Sequence, residues 1–330
     1  MITWRRQPPF LLQKILCLHY NSIMIEFKDV SKYHHSYMAI NYLNAKLKTD
    51  RIAVYGAEKS GKSSLLRLLS GIDAPSTGQI SINNETINSI DKNIFFSFRD
   101  GGFFPNKTLF YNLSYPLKIR KVFDTEERVD KVIKEFELEK YARVKVKKLS
   151  AENKASAIMA KLKLRNTKML LLDNPFGMLE DKTRDIYFEK LSEYIKSYNG
   201  IVVYATDKLE ELDGFDEAVV LNYGVVKGVG DKIKLFDKPK NLFCFGLGKK
   251  ITQFYGRLIK ENSVYYFVNE VGKIAINKEI SAKLVSDIFV GHNIILAVEN
   301  YKDEISLYEA DNSDKVVLFD KSENIIMNIE

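Results

Sequence analysis

The sequence has no long apolar segment and almost no cysteine. No run of apolar residues approaches the roughly 18 residues that a membrane-spanning helix needs, so we expect no transmembrane segment. Its two cysteines, Cys17 and Cys244, form neither a disulfide framework nor the spacing of a metal site, which fits a reducing compartment. The adjacent His34 and His35 have no third ligand near them in the sequence, so we expect no metal site there.

The composition is that of an ordinary globular protein with more than one domain. The chain has 330 residues, 45% of them hydrophobic and 28% charged, which is enough for two domains. The net charge is +7, but the lysines are interspersed with aspartate and glutamate rather than gathered in a block. We therefore predict a solvated surface and no nucleic-acid partner. The alternative is a basic patch that faces nucleic acid or anionic lipid.

Residues 1–23 differ from the sequence that follows them. They contain a mildly apolar stretch with basic residues before it, so a signal peptide and an interfacial anchor are two interpretations. Polar residues interrupt this stretch, however, and Met24 begins a strand-like segment as a natural start would. We expect residues 1–23 to be a disordered extension or an upstream start of translation.

A glycine-rich loop is the strongest motif in the chain. The segment from Gly56 to Ser63 has the sequence GAEKSGKS, between the strand-like Arg51–Tyr55 and a helical run that stops at Gly71. Such a P-loop wraps its backbone N–H groups around a phosphate, and the helix dipole adds to the attraction. Lys62 is expected to reach the β- and γ-phosphates, and the Ser63 hydroxyl to bind Mg²⁺. The predicted phosphate-binding residues are Gly56, Ala57, Glu58, Lys59, Ser60, Gly61, Lys62, Ser63 and Ser64.

A second motif supplies the carboxylate that such a site needs. Met169–Asp173 is a run of apolar residues that ends in an acid, which is typical of a buried strand that places one carboxylate beside the Mg²⁺. Many buried strands end in aspartate, so the motif is informative only together with the P-loop. We therefore predict Ser63 and Asp173 as metal ligands, and ATP with Mg²⁺ as the cofactor.

The order of the segments predicts an α/β fold. Buried strands alternate with helices around the P-loop, which favours a parallel, doubly wound sheet. Residues 100 to about 160 form a helical insertion, in which Asp124 and Glu127 make a capping box, and Tyr33–His35 is expected to be a loop. Over residues 241–330 short strands replace helices, so we predict a second, small β domain that is barrel-like. The strand candidates there are Gln253–Lys260, Ser263–Asn269, Lys273–Asn277, Ile294–Glu299, Glu304–Glu309 and Lys315–Phe319.

Several further segments resemble the ATP-binding subunits of ABC transporters, most closely those of sugar and glycerol-phosphate importers. The segments that carry the resemblance are Gly71–Ile80, Phe103–Thr108, Asn112–Leu117, Leu149–Ser150 and Asn174–Glu180. The resemblance extends from Met24 to Leu247. It implies a P-loop NTPase domain of the ABC ATPase type over residues 24–240, with the helical subdomain inserted at about 100–160.

The resemblance also implies partners and a mechanism. Two such domains pair head to tail, and each ATP lies between the P-loop of one domain and the signature segment of the other, which here contains Ser150. Closure on ATP moves transmembrane permease subunits, so the protein would lie in the cytoplasm on the inner face of the cell membrane. The aromatic residue that stacks on adenine in this family corresponds to Tyr33 or His34, and the sequence leaves this choice open.

The sequence departs from the family at the positions that cleave ATP. Arg99 replaces a glutamine that senses Mg²⁺ and water, Asn174 replaces the catalytic glutamate, and Asp207 replaces a histidine near the γ-phosphate. The signature, Leu149–Asn153, is LSAEN instead of LSGGQ, and Glu180 replaces an aspartate. General-base catalysis is worth about 10²–10⁴-fold in rate, so we expect nucleotide binding with little hydrolysis.

Three hypotheses follow from this pattern of retained and replaced residues. The preferred one is an importer subunit that pairs with a second, intact ABC ATPase chain in a heterodimer. The second is a nucleotide-sensing regulatory or scaffold protein of a membrane complex. The third is an ordinary homodimeric ATPase with unusual motifs.

Overall fold

The computed structural model divides into two compact units. One unit extends through residue 217 and includes residues 221–226, and the other comprises residues 218–220 and the chain from residue 227 onward. The structure describes residues 24–35, 37–91, 93–236, 242–247, 251–261, 264–268, 273–275, 293–299, 316–320 and 325–329. The extension predicted over residues 1–23 and the strand candidate Glu304–Glu309 lie outside these residues. The domain boundary predicted at residue 240 stays a prediction.

The largest sheet is mixed rather than fully parallel. It has ten strands in the order β5-β4-β1-β2-β10-β9-β3-β8-β7-β6. The strands are β1 (Ile25–His34), β2 (Tyr37–Leu47), β3 (Arg51–Tyr55), β4 (Thr77–Ile82), β5 (Glu85–Thr86), β6 (Ile94–Ser97), β7 (Met169–Asp173), β8 (Ile201–Thr206), β9 (Glu217–Asn222) and β10 (Val225–Asp231). Strands β3, β8, β7 and β6 pair in parallel, as predicted, whereas β1 pairs antiparallel with β2 and with β4.

A short connection explains why the prediction of a parallel sheet is wrong for β1 and β2. Only His35 and Ser36 separate the two strands, and a parallel pair needs a crossover of about a dozen residues or more. The loop predicted for Tyr33–His35 is also wrong for its first two residues, because β1 continues through His34.

Three helices form the subdomain that the sequence predicts at about 100–160. The helices of the first unit are α1 (Lys62–Leu69), α2 (Leu109–Ile119), α3 (Thr125–Glu135), α4 (Ala151–Lys163) and α5 (Asp181–Ser197). Helices α2, α3 and α4 bury their apolar faces in a core of their own, so the subdomain has an independent source of packing stability. That core consists of Leu109, Leu113, Leu117, Val129, Val132, Ile133, Leu138, Val146, Leu149, Ala157, Ala160 and Leu164. No helix in the described part of the chain is long and apolar enough to cross a bilayer.

The capping box predicted at Asp124 and Glu127 is wrong. Asp124 does precede α3, but its φ of 54° is left-handed and its side chain accepts no hydrogen bond from the first turn. The hydroxyl of Thr125 instead donates to the carbonyl oxygen of Val122 at 2.7 Å. The turn between α2 and α3 therefore determines where α3 begins.

The second unit contains a six-stranded sheet and two short helices, α6 (Lys232–Phe236) and α7 (Leu242–Phe245). Its strands are β11 (Ile251–Glu261), β12 (Val264–Val268), β13 (Lys273–Ala275), β14 (Asn293–Glu299), β15 (Val316–Asp320) and β16 (Ile325–Ile329), in the order β13-β12-β11-β14-β15-β16. Neighbouring strands pair antiparallel. The first five strands confirm sequence predictions, β16 was not predicted, and closure into a barrel stays a prediction.

A buried ion pair joins α5 to the segment that follows β8. Arg184 and Glu211 are 5% and 2% exposed. The Arg184 guanidinium donates from Nε to Glu211 Oε1 at 2.6 Å and from Nη2 to Oε2 at 2.9 Å. The hydroxyls of Tyr204 and Thr206 also donate to Oε2. Desolvation opposes the charge on Arg184, but Glu211 outweighs it, so the pKa of Arg184 is raised.

A buried lysine ties α4 to the loop that follows β6. Lys161 is 9% exposed, and its ammonium donates to the carbonyl oxygens of Gly101 at 2.8 Å and Gly102 at 3.1 Å. The same ammonium lies 4.9 Å from the centre of the Phe103 ring. Burial lowers the pKa of Lys161 to about 8, and the nearby charge of Arg165 adds to this effect.

The lowered pKa of Lys161 predicts a stability that rises with pH. Below pH 8 the folded and unfolded chains both hold the Lys161 proton, but between pH about 8 and 10.5 only the unfolded chain does. This residue should therefore add about 2 kcal/mol to the free energy of unfolding between pH 7 and pH 10. Lys161→Met keeps the aliphatic packing and should lack this gain. Urea denaturation of both proteins across this range tests the prediction, and equal pH slopes would contradict it.

Removing the charge of Glu211 should lower the free energy of unfolding substantially, because Arg184 then loses its buried partner. Glu211→Gln leaves a buried guanidinium without its bidentate carboxylate and should lower the free energy of unfolding by roughly 3 kcal/mol. Glu210→Gln removes the same charge from the exposed neighbouring position and should change it by less than about 0.5 kcal/mol. Chemical denaturation measures both values. The ion pair is not needed for stability if the two variants unfold alike.

Candidate functional site

The segment from Gly56 to Ser63 connects β3 to α1, as the sequence predicts for a P-loop. Gly61 has a φ of 107°, and a Cβ there would lie 2.3 Å from the carbonyl oxygen of Ala39, so only glycine fits. Helix α1 begins at Lys62 with no side-chain cap and no acidic residue in its first turn. Its first N–H groups are therefore available to an anion, and the helix dipole favours one there.

Lys62 lies over this loop with its ammonium largely buried. Its Nζ donates to the carbonyl oxygens of Gly56 at 2.5 Å and Ala57 at 2.7 Å. Burial lowers the pKa of Lys62, and the negative charges of Asp207 and Asp173 oppose that effect. The ammonium therefore lies where it can neutralise the charge of a phosphate bound by the loop.

Ser63 and Asp173 meet although 110 residues separate them in the sequence. The Ser63 hydroxyl donates to Asp173 Oδ1 at 3.0 Å, because α1 starts beside the carboxyl end of β7. Burial raises the pKa of Asp173, whereas the hydrogen bond from Ser63 and the charge of Lys62 lower it. A hydroxyl and a carboxylate this close fit Mg²⁺, which prefers oxygen ligands and keeps several waters of its own.

The P-loop and the ends of β7 and β8 enclose a cavity of about 510 Å³. Its lining residues are Tyr37, Glu58, Lys59, Ser60, Gly61, Lys62, Ser63, Ser64, Arg99, Asp173, Asn174, Asp207 and Tyr223. Most of the residues that the sequence singles out therefore lie around one space. Gly56 and Ala57 belong to the same loop, whereas Tyr33, His34 and Ser150 are not among the residues that line the cavity.

Two aromatic residues line the cavity, Tyr37 and Tyr223, and the sequence did not single out either as a ligand contact. Tyr37 contacts the P-loop directly. Its hydroxyl donates to the carbonyl oxygen of Lys59 at 2.9 Å, and half of its side chain stays exposed. Tyr33 lies further along the hairpin, where its backbone N–H donates to Ser76 Oγ at 3.0 Å. Tyr37 begins β2 and lies just before the strand predicted at Ala39. This position in the sequence could have identified Tyr37 as a candidate.

The three residues that replace catalytic groups all line the cavity. Arg99 Nη1 lies 3.4 Å from Glu58 Oε1, and both side chains are more than half exposed, so this pair is weak. Asn174 Nδ2 donates to Asp207 Oδ1 at 3.4 Å, and the Asn174 backbone adopts a strained φ of 44°. An amide cannot accept a proton at neutral pH, so Asn174 supplies no general base.

Asp207 extends the buried ion pair into the cavity. Its Oδ1 accepts a hydrogen bond from Arg184 Nη2 at 2.8 Å, and its side chain is 36% exposed. Partial burial opposes ionisation of Asp207, but the hydrogen bond and charge of Arg184 outweigh it, so the pKa is lowered. The sequence did not single out Arg184 and Glu211, because nothing in their local pattern distinguishes them from surface charges.

Ser150 lies at the start of α4, outside the cavity. Its hydroxyl oxygen accepts a hydrogen bond from the Asn153 N–H at 3.2 Å, so it caps the helix. Tyr187 of α5 fixes the same turn, since its hydroxyl donates to the Glu152 carbonyl oxygen at 3.1 Å. Within one chain, the structure does not bring Ser150 to the P-loop cavity.

Comparisons with known proteins agree with this geometry. Residues 41–177 match the family model described as ABC transporter. The sulfate/thiosulfate import ATP-binding protein CysA of Mesostigma viride is 29% identical over 68% of this chain and 66% of its own. The sn-glycerol-3-phosphate import ATP-binding protein UgpC of Bartonella bacilliformis is 29% identical over 66% of each chain. This chain therefore spans about two thirds of the length of these relatives.

A solved structure supports the fold. The dimeric ATP-binding cassette MJ0796, bound to ADP and Pi, matches with a TM-score of 0.55 and 22% identity over 63% of this chain and 98% of its own. The P-loop between β3 and α1, the mixed sheet and the inserted helices are thus those of an ABC ATPase. We conclude that this chain carries an ATP-binding domain of the ABC transporter family.

Proposed function

We propose that this chain is the ATP-binding subunit of an ABC importer with impaired hydrolysis at its own site. It binds Mg-ATP at the P-loop and couples nucleotide-driven closure of a dimer to membrane subunits. The observation that carries the proposal is the meeting of Lys62, Ser63 and Asp173 in one cavity, with Ser63 Oγ and Asp173 Oδ1 3.0 Å apart. These are the groups that hold Mg²⁺ and phosphates at a P-loop.

Each part of the nucleotide has a matching group. The N–H groups at the start of α1 bind the phosphates, and Lys62 neutralises their charge. Ser63 and Asp173 hold Mg²⁺, which would screen the phosphate charge. Tyr37 and Tyr223 join Tyr33 and His34 as candidates for the adenine contact, because both line the cavity and are exposed.

The proposed loss of hydrolysis rests on the groups that face the cavity. Asn174 stands where the family has its base, and the lowered pKa of Asp207 makes that carboxylate a poor proton acceptor. Arg99 brings a positive charge rather than an amide that can position water. The site therefore keeps the groups that hold a nucleotide and lacks those that activate water.

The proposed partners are a second ATPase domain and membrane subunits. Ser150 lies outside the cavity, which suits contact with a nucleotide held by the partner domain. The aromatic rings of Phe104, Tyr111 and Tyr115 form a cluster on the helical subdomain, with centroids 5.4 to 6.3 Å apart. Phe104 is half exposed, so this cluster suits a helix of a permease subunit. That contact would place the protein in the cytoplasm, on the inner face of the cell membrane.

A nucleotide-sensing regulatory or scaffold protein is the second candidate function. It is favoured by Asn174 and Asp207, which leave the cavity without a general base while the phosphate-binding loop stays intact. Such a protein would change its contacts with nucleotide bound and would contribute no turnover. Pairing with an intact ATPase chain distinguishes the first function from this one.

Nucleotide binding should depend on Lys62. Lys62→Ala removes the ammonium that is hydrogen-bonded to the loop carbonyl groups, and we expect at least about a hundredfold weaker binding of Mg-ATP, measured by isothermal titration calorimetry. Lys134→Ala removes an exposed lysine on α3 and serves as the control, with unchanged affinity. Equal affinity of Lys62→Ala and Lys134→Ala would overturn binding at the P-loop.

Turnover should be near background and should return when the replaced groups are restored. We expect the double variant Asn174→Glu, Asp207→His to hydrolyse ATP about 10²-fold faster than the unaltered chain, because a general base is regained. Phosphate release by the purified chain measures the rate. Adding Lys62→Ala to the double variant should abolish the gain. Rapid hydrolysis by the unaltered chain that Asp173→Asn removes would contradict the proposed impairment.

A further inference from the structure

We propose that the P-loop cavity holds a nucleoside diphosphate more tightly than a nucleoside triphosphate, because the carboxylate of Asp207 faces the place where a third phosphate would lie. This preference rests on the proposed nucleotide binding at the P-loop and specifies its ligand. The preference depends on the position of Asp207, on its fixed charge and on the absence of a cation paired with it inside the cavity among the described residues.

The strand register places Asp207 beside the phosphate end of the cavity. Thr206, the last residue of β8, pairs in parallel with Tyr55, which directly precedes the P-loop. On the other side, Asp173 at the end of β7 pairs with Ala205. Asp207 therefore follows the strand that lies between the P-loop and the Mg²⁺ ligand.

A third phosphate would extend toward this carboxylate. The Ser63 hydroxyl marks the position of Mg²⁺, and the lysine of a P-loop reaches the β- and γ-phosphates. Asn174 and Asp207 line the same cavity as Lys62, and Asn174 Nδ2 lies 3.4 Å from Asp207 Oδ1. A diphosphate ends at the loop, whereas a triphosphate brings additional negative charge against Asp207.

The negative charge on this wall is fixed by the buried ion pair. Arg184 is 5% exposed and is held by both oxygens of Glu211, so it cannot turn into the cavity. Its Nη2 also donates to Asp207 Oδ1 at 2.8 Å. One guanidinium thus serves two carboxylates, which leaves the group of Arg184, Glu211 and Asp207 with one net negative charge. Asp207 is the member of this group that faces the cavity.

None of the cations that line the cavity, Lys59, Lys62 and Arg99, forms an ion pair with Asp207. Lys62 donates to carbonyl oxygens of its own loop, and Arg99 lies against Glu58 at 3.4 Å. Arg99 and Glu58 are more than half exposed, so water and salt screen the charge of Arg99. In a partly desolvated cavity, repulsion between Asp207 and a third phosphate is then enough to change affinity by about tenfold.

Calorimetric titration of the full chain with ADP and with ATP, each in excess Mg²⁺, tests this preference. We expect ADP to bind about tenfold more tightly than ATP. Asp207→Asn keeps the shape of the side chain and removes its charge, so it should narrow the ratio of the two dissociation constants by about fivefold or more, mainly by tightening ATP. Asp185→Asn removes a charge from an exposed residue of α5 that pairs with Lys208, and it should leave the ratio unchanged.

The outcomes separate this inference from the proposed function. Tighter binding of ADP together with a smaller ratio in Asp207→Asn supports the inference. Equal or tighter binding of ATP by the unaltered chain overturns it and leaves nucleotide binding at the P-loop intact. An ADP preference that Asp207→Asn does not reduce also overturns it, since Asp207 is then not the cause. If neither nucleotide binds, the proposed function fails and this inference fails with it.

Discussion

The buried contact between Arg184 and Glu211 is the interaction on which the rest of the site depends. It joins α5 to the end of β8, at the edge of the sheet where the P-loop and Asp173 also lie. Burying two charges is costly, and the cost is offset here because the carboxylate accepts four hydrogen bonds, two of them from hydroxyl groups. The same guanidinium donates to Asp207. The packing of α5 against the end of β8 therefore determines where this negative charge lies in the cavity.

The cavity keeps the backbone elements of a P-loop site, but several of the side chains that line it differ from those of the family. The elements that would position phosphate and Mg²⁺ are backbone elements and strand ends, namely the start of α1 and the end of β7. The replaced groups are side chains that project from this frame, and changing them leaves the sheet and helices in place. With the impairment proposed above, the site would hold nucleotide without hydrolysing it. If it prefers the diphosphate, its occupancy follows the ratio of ADP to ATP, and either proposed function then becomes responsive to the energy state of the cell.

The sequence predicted those parts of the site that local pattern determines. The P-loop and the strand ending in Asp173 have distinctive local sequences, and parallel strands bring their carboxyl ends to one edge, so the contact of Ser63 with Asp173 was foreseeable. Tyr37 was missed because its contact with the P-loop, a hydrogen bond to the carbonyl oxygen of Lys59, forms only in the folded chain. Arg184 and Glu211 were missed for a similar reason, since only the folded chain brings a residue of α5 against a turn after β8.

The loop that follows Arg99 shows how the helical subdomain is connected to the cavity. Lys161 of α4 holds two successive carbonyl groups of this loop, and both belong to glycines with positive φ, where a Cβ would meet the rings of Phe103 and Phe98. A side chain at either glycine would strain the backbone and displace the acceptors, so the tether depends on both. Because Ser150 caps the N-terminus of α4, the hydrogen bonds of Lys161 link the segment proposed to contact a partner domain to the loop that follows Arg99. A shift of α4 would therefore pull on the loop that follows Arg99, through the two hydrogen bonds of Lys161.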